Sequence, residues 1–362
     1  MRTVIVRPDH IGVVSENDPA TGTMRALIKA RPERGMTLER RPIPEPGPGE
    51  VRLRVESVGI DGGAEALIYD WHESKHHYAD TLPQLFGHEC AGVIDRVHPT
   101  VDRHQPGERV AVEPVVGCGA CRHCHTGSFA ICPDRRLIGL DADSDGALAE
   151  YVVVPEATLY PIGDLEPDVG VFLELLALGV HALEQSTFEL GDRVAIAGPG
   201  AVGIGMLVAV AAAGASSITV IGTDADIDDR FPLATELGAT TTVTAEDGLE
   251  DGAEFDVFFE ASGSPGALSM ATDAIRPGGE LVQIGLFHGH ETVPVDLTRL
   301  TRRGVSITTV YGRRASSWDR AIAVADGLDL SPAIGPSFAL EEYEAAFEAA
   351  ENRAGIKITL HP

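Results

Sequence analysis

The feature that most constrains this chain is Gly198-Pro199-Gly200-Ala201-Val202-Gly203, set between two apolar segments. Before it, Arg193-Val194-Ala195-Ile196-Ala197 reads as a buried strand. After it, Ala201 to Ala213 is a run of small and aliphatic residues of helical length. A G-x-G-x-x-G spacing in a strand-to-helix turn suits a dinucleotide pyrophosphate. The first glycine permits the tight turn, the second lets the phosphates approach the backbone, and the third lets the helix pack closely. The helix N-terminus adds unpaired N–H groups and a partial positive charge. The bland alternative is three glycines in an ordinary turn, and the flanking strand and helix speak against it. Gly198, Gly200, Ala201, Val202 and Gly203 are therefore the candidate phosphate-binding residues.

The surrounding text repeats the pattern. Ser217-Ile218-Thr219-Val220-Ile221, Asp256-Val257-Phe258-Phe259-Glu260 and Glu280-Leu281-Val282-Gln283-Ile284 read as further strands between Ala-rich helices. That alternation predicts an α/β unit with a parallel, doubly wound sheet. An NAD site usually ends the second strand with an acid for the ribose hydroxyls. Here that place falls on Gly222, followed by Thr223 and Asp224, with Arg230 within reach. A glycine there removes the carboxylate that would repel a 2′-phosphate, which favours NADP slightly; Asp224 as a displaced ribose acid is the alternative.

From Met24 to about Leu176 the pattern is instead short strands broken by Gly and Pro turns, a β-rich unit. Beyond Trp318, a helix over Leu340–Glu351 and a strand over Ile356–Leu360 are expected. Residues 1–23 read as an appendage with a candidate strand at Thr3–Val6.

Cys118, Cys121, Cys124 and Cys132 form C-x2-C-x2-C-x7-C. Four thiolates at these spacings can converge tetrahedrally on one ion and leave no open position, which describes a structural zinc. Disulfides and an iron–sulfur cluster are the rivals. A second ion is suggested by Asp61, His88, Glu89 and Glu174. Any one of these is more often a hydrogen-bonded or surface group than a ligand. Together, beside a dinucleotide fold, they suggest mixed N/O ligation with a position open to substrate.

With 55 acidic residues against 28 basic ones, the formal net charge is -27, and only Lys29, Lys75 and Lys357 are lysines. Such a surface repels nucleic acid and anionic membranes, so neither is expected as a partner. It is either a plain solvated acidic surface or an adaptation to a halophile's concentrated salt, the reading preferred here. No stretch reaches the length of a membrane helix and no secretory pattern opens the chain. A cytoplasmic location is the expectation, with cysteines clustered as ligands instead of spread as disulfide pairs.

From Met24 to Pro362 these residues resemble the zinc-containing medium-chain alcohol dehydrogenases. Gly87-His88-Glu89-Cys90-Ala91-Gly92 is similar to that family's G-H-E-x-x-G signature, and the cysteine lobe and fingerprint follow in the family's order. Val112-Glu113-Pro114, Asp145 to Tyr151 and Leu178-Gly179-Val180-His181-Ala182 resemble polyol dehydrogenases. Ile68-Tyr69-Asp70-Trp71 resembles threonine 3-dehydrogenases. The resemblance implies a GroES-like catalytic domain over about 24–176 with 317–362 and a Rossmann domain over about 177–316. Substrate would lie in the cleft between them, and a homodimer or homotetramer is implied. It also implies oxidation of a polyol, sugar or related alcohol by hydride transfer to NAD(P), with Asp61, His88 and Glu89 on a catalytic zinc and Glu174 direct or through water. Threonine-type amino alcohols are the alternative substrates; a zinc-free reductase and a non-catalytic nucleotide sensor are the rival functions. Two departures stand out. Asp61 takes the place of the family's usual cysteine, as in halophilic glucose dehydrogenases. Gly63 takes the place of the relay hydroxyl, leaving a water, His72 or Glu65 to replace it.

Overall fold

The computed structural model describes residues 22–287 and 292–362, so the strand expected at Thr3–Val6 lies outside the described residues. The segment with the fingerprint builds a six-stranded, all-parallel sheet. Its spatial order is Thr241–Thr244, Ser217–Gly222, Arg193–Ala197, Phe255–Glu260, Ile275–Gln283, Ser306–Thr309. The chain starts in the middle, moves out one way, then returns to fill the other side. The switch point falls between Arg193–Ala197 and Phe255–Glu260, where doubly wound sheets bind their ligands. Both of these strands are buried almost throughout, as expected for a sheet covered by helices on both faces.

The β-rich part forms a seven-stranded sheet whose spine is Glu50–Ile60, flanked by Cys90–Val97 and the C-terminal Lys357–His361. A smaller sheet joins Thr37–Pro42, Thr23–Lys29 and Gln84–Leu85. The C-terminal strand thus returns to the early part of the chain, across nearly the whole sequence.

The expected boundaries at 176/177 and 316/317 both fall inside continuous helices, Pro167–Gln185 and Ala315–Asp326. The junction is therefore packed structure and no linker. Pro167–Gln185 is buried along most of its length, and one apolar core runs from Ala91 and Ala111 through Phe172 and Leu176 to Ile196, Leu207 and Trp318. Each fully buried aliphatic or aromatic side chain there contributes roughly 1.5–3 kcal/mol. Gly179 is needed at its crossing with helix Ala201–Ala213: a Cβ there would sit 2.5 Å from the carbonyl oxygen of Gly205. Among the described residues, no helix is long and apolar enough to cross a membrane.

Candidate active site and metal centres

The cysteine lobe hangs from the β-rich unit on a short helix, Arg122–His125. Its four sulfurs lie within 4.8 Å of one another, with Cys121 Sγ 3.6 Å from Cys124 Sγ and 3.7 Å from Cys132 Sγ. Tetrahedral zinc–thiolate bonds place sulfurs roughly 3.8 Å apart, so the donor set fits that ion. No cysteine is paired in a disulfide. Backbone N–H groups of Ala120 and Cys121 bring the Cys118 thiol down to about 7, towards the thiolate a metal requires.

The second cluster brings together three residues from two segments. His88 and Glu89 precede strand Cys90–Val97, and Glu174 comes from the middle of helix Pro167–Gln185. One donor atom from each of the three lies within 4.8 Å of the others. Asp61, just beyond strand Glu50–Ile60, is not among these converging donors. Its Oδ1 instead accepts the N–H of Gly63 at 2.8 Å. It remains close enough for the charges of Lys357 and His88 to outweigh the effect of burial and hold its carboxyl below the ordinary range. A Cβ at Gly63 would lie 3.2 Å from that Oδ1, so the missing relay side chain is replaced by a tight backbone contact.

Each member has a partner that sequence reading did not supply. Glu65, wholly buried, accepts from His88 N at 3.1 Å and lies 2.7 Å from His88 Nδ1, which leaves Nε2 as the ligating nitrogen. Glu65 therefore stands behind the histidine, and His72 is exposed, bonded to Ser74; neither occupies the place of a relay hydroxyl. Lys357 Nζ lies 2.5 Å from Glu89 Oε2, both side chains 1 % exposed, and Gly59 leaves room for the pair, since a Cβ there would sit 2.7 Å from that oxygen. Arg313 donates to Glu174 Oε1 at 2.6 Å and to both oxygens of Glu113, which also accepts from Trp318 Nε1. Glu89 and Glu174 each retain one oxygen outside these ion pairs.

The balance of charge suits a cation. Among the described residues, Glu65 pairs with the His88 ring, Glu89 with Lys357, and Glu113 and Glu174 share Arg313, while Asp61 lies in the field of Lys357 and His88. Burial would lower the His88 pKa, yet the carboxylates of Glu65, Glu89 and Asp61 lift it to about 10. A field that holds a proton so firmly on a buried imidazole would also hold a divalent ion.

The fingerprint opens on a cavity of about 430 Å³ lined by Gly198, Pro199, Gly200, Gly222, Thr223, Asp226, Ser262, Met270 and Arg353, among others. Gly198 has φ 96, and a Cβ on Gly203 would collide with the Gly198 carbonyl at 1.8 Å, whereas Gly200 faces open space. Ala201, Val202 and Gly203 begin the helix beneath it. At the end of the second strand, the carboxylate lining the cavity is that of Asp226, while Asp224 is exposed and lies outside the lining. Gly222 makes space for Asp226 and Phe231, whose atoms would be 2.8 and 2.6 Å from a Cβ there. Arg230 is buried behind the cavity and donates to the carbonyl of Arg353.

Residues 47–164 match the alcohol dehydrogenase GroES-like domain, and residues 201–326 match the zinc-binding dehydrogenase family. An L-threonine 3-dehydrogenase from Anaeromyxobacter sp. (strain Fw109-5) is 33% identical over 354 residues, covering 93% of this chain and 99% of that protein. A Sinorhizobium meliloti 1021 protein described as a zinc-binding dehydrogenase and bound to NADP superposes with a TM-score of 0.82 at 26% identity, covering 94% of this chain and 99% of its own. The 2R,3R-butanediol dehydrogenase of Bacillus subtilis does so with a TM-score of 0.81 at 25% identity and the same coverage. Fold, fingerprint, thiolate lobe and the cluster of His88, Glu89 and Glu174 thus agree with these matches: the chain belongs to the zinc-binding medium-chain alcohol dehydrogenases, oxidoreductases that act on CH–OH groups with zinc and a nicotinamide dinucleotide.

Proposed function

We propose that this enzyme oxidises a secondary alcohol of a polyol or sugar, or the hemiacetal of an aldose, with NADP as the preferred acceptor. The observation that carries it is the meeting of His88, Glu89 and Glu174 beneath the dinucleotide fold, with Glu174 on the helix that packs against the fingerprint helix. His88 Nε2 and the spare oxygens of Glu89 and Glu174 would hold the catalytic zinc, with Asp61 turning in from Gly63 as a fourth donor. Zinc, when bound, supplies Lewis acidity to the substrate oxygen, and the nicotinamide supplies the hydride acceptor.

The chain's own residues orient and insulate. Glu65 fixes the tautomer and plane of His88. Lys357 and Arg313 hold Glu89 and Glu174 by one oxygen each, leaving the other oxygen of each free to serve as a donor. Cys118, Cys121, Cys124 and Cys132 would clamp the lobe around the structural zinc. The working units are taken as about 24–176 with 317–362 and 177–316.

A threonine-type amino alcohol is the second reading, favoured by the similarity to an L-threonine 3-dehydrogenase over nearly the full length. The acidic surface supports a cytoplasmic enzyme of a salt-rich cell that binds neither nucleic acid nor membrane. Exposed Leu286, Leu297 and Ile307 around the edge strand Ser306–Thr309 support a dimer or tetramer. The test is a screen of polyols, aldoses and threonine with NADP and NAD in concentrated potassium chloride, followed by nicotinamide absorbance. Turnover of a polyol or aldose that is lost in His88→Ala is expected. Turnover of threonine alone would transfer the assignment to the second reading, and full activity in His88→Ala would remove the zinc site from the reaction.

A further inference from the structure

We infer that Arg353 is the cofactor-selecting residue of this enzyme: it receives the 2′-phosphate of NADP through the guanidinium donors that its ion pair with Asp226 leaves free. The inference rests on the NADP reading above and adds to it a residue from the opposite unit. Arg353 lies between helix Tyr343–Glu351 and the C-terminal strand Lys357–His361, yet it lines the nucleotide cavity beside Thr223 and Asp226. These two residues follow the second strand of the parallel sheet, where a dinucleotide of this fold presents its adenosine ribose hydroxyls.

The local chemistry favours a phosphate over a pair of hydroxyls. A ribose diol is best received by a carboxylate with both oxygens free, and Asp226 has most of its acceptor capacity already engaged. Its Oδ2 accepts from Thr223 N at 2.8 Å and Thr223 Oγ1 at 3.0 Å, and its Oδ1 is paired with Arg353. Asp226 thus serves the turn as a cap, with its charge answered by the guanidinium. Arg353, by contrast, has capacity left: its side chain is 44% exposed, and a guanidinium carries five donors in a planar fork suited to phosphate.

The backbone is held while the guanidinium stays open to the cavity. Arg353 has φ 56, an uncommon left-handed conformation for a residue with a side chain, and its N–H donates to Ala350 O at 3.1 Å. Its carbonyl accepts from Arg230, whose buried Nε has no hydrogen-bond partner. A second guanidinium, 3.8 Å from Asp229, therefore lies against the Arg353 backbone. Placing the selecting arginine in the C-terminal segment means that the phosphate is grasped from across the boundary between the two units.

The experiment is calorimetric titration of the zinc-loaded full chain with 2′,5′-ADP and with 5′-ADP, which reads binding without turnover. Wild type is expected to bind 2′,5′-ADP more tightly, and Arg353→Gln to weaken that ligand by about tenfold or more while leaving 5′-ADP within about twofold. Retained 5′-ADP affinity certifies a folded cavity, and Arg353→Lys should restore part of the loss. Wild type without any preference for 2′,5′-ADP would overturn the NADP reading and this inference with it. A preference that survives Arg353→Gln would overturn the role of Arg353 alone, and equal weakening of both ligands would do the same. Asp226→Asn separates the remaining possibility. Unchanged or tighter 2′,5′-ADP binding fits an acid that only caps the turn, whereas a tenfold loss of 5′-ADP would show Asp226 holding the ribose and overturn the proposal.

Discussion

The Nδ1 of His88 lies 2.7 Å from a carboxylate oxygen of Glu65 that is sealed from solvent. The same carboxylate accepts the His88 backbone N–H, and its other oxygen lies 3.3 Å from the backbone nitrogen of Asp61. One buried acid thus sets both the ring and the loop that flank the candidate metal position.

Glu65→Gln keeps the shape of that contact and removes its charge. The amide oxygen can still accept from Nδ1 but no longer polarises the ring with a full charge, and zinc affinity or turnover is expected to fall about 10–100-fold, as for other groups that orient a metal-bound histidine. Metal analysis together with kcat would read the effect, with circular dichroism showing an intact fold. Unaltered zinc affinity and turnover would leave Glu65 a bystander.

Lys357→Met leaves Glu89 buried without its partner. Breaking a buried ion pair from one side costs about 3–5 kcal/mol, so the metal-free variant should melt well below wild type. Zinc would then answer more of the uncompensated charge, and its addition should raise Tm further in the variant than in wild type. Thermal melts with and without zinc decide the matter. An equal zinc response in the two proteins would separate Lys357 from the metal position.

Cys121→Ser removes a thiolate from the lobe. One metal ion per chain should be lost while the ion at His88 is retained, and the lobe should become susceptible to proteolysis near Arg122 and Arg135. Metal analysis and limited digestion are the readouts. An unchanged metal content would mean that the thiolate cluster does not hold an ion.

Asp168 joins helix Pro167–Gln185 to the β-rich sheet by accepting from Ser57 at 2.5 Å and Ser337 at 3.0 Å, and it lies 2.8 Å from His361 Nε2. Burial would raise its carboxyl, but the bonds from His361 and the serines bring it down to about 2, while Asp168 raises the pKa of His361. The carboxylate's contribution is complete above the ordinary carboxylate range and lost as pH falls towards 2. That of His361 is complete below the ordinary histidine range and lost as pH rises through its elevated value. Asp168→Asn should therefore cost most near pH 5–6, about 1 kcal/mol after solvent screening, and less near pH 9. A Tm difference independent of pH would show that the ion pair contributes nothing.

Much of this architecture can be read from local text. Gly198 to Gly203, the cysteine spacing and His88-Glu89 each carry their chemistry within a few residues, and the fold around them followed from strand and helix periodicity. Glu65 reads there only as a relay and not as the partner of His88, and Lys357, Arg313 and Arg353 do not show as partners, because each is joined to the site only by the folded path of the chain. Lys357 pairs with Glu89 because the last strand lies against Glu50–Ile60, and no period or motif announces that neighbour. A signal was present nonetheless. In a chain with three lysines, two stand in apolar strands, Lys29 and Lys357, and both are fully buried. A scarce cation in an apolar run marks a charge that must be answered inside. The sequence places the end of the second strand on Gly222, with Asp224 as the alternative acid; the carboxylate that lines the cavity is Asp226, because the turn after Gly222 winds through Asp224–Asp226 before a carboxylate faces inward.

The crossing of Gly179 with Gly205 sets a spacing on which hydride transfer depends. Glu174 lies five residues before Gly179 on one helix, and the phosphate-binding turn opens the other, so the separation of the two axes would set how far the Glu174 carboxylate stands from a bound dinucleotide. Two bare α-carbons keep that separation at its minimum, and one added methyl would wedge the helices open. Since displacement by about an ångström can slow a positioned reaction 10²-fold, the absence of side chains at this buried crossing acts as a ruler for the chemistry some distance away.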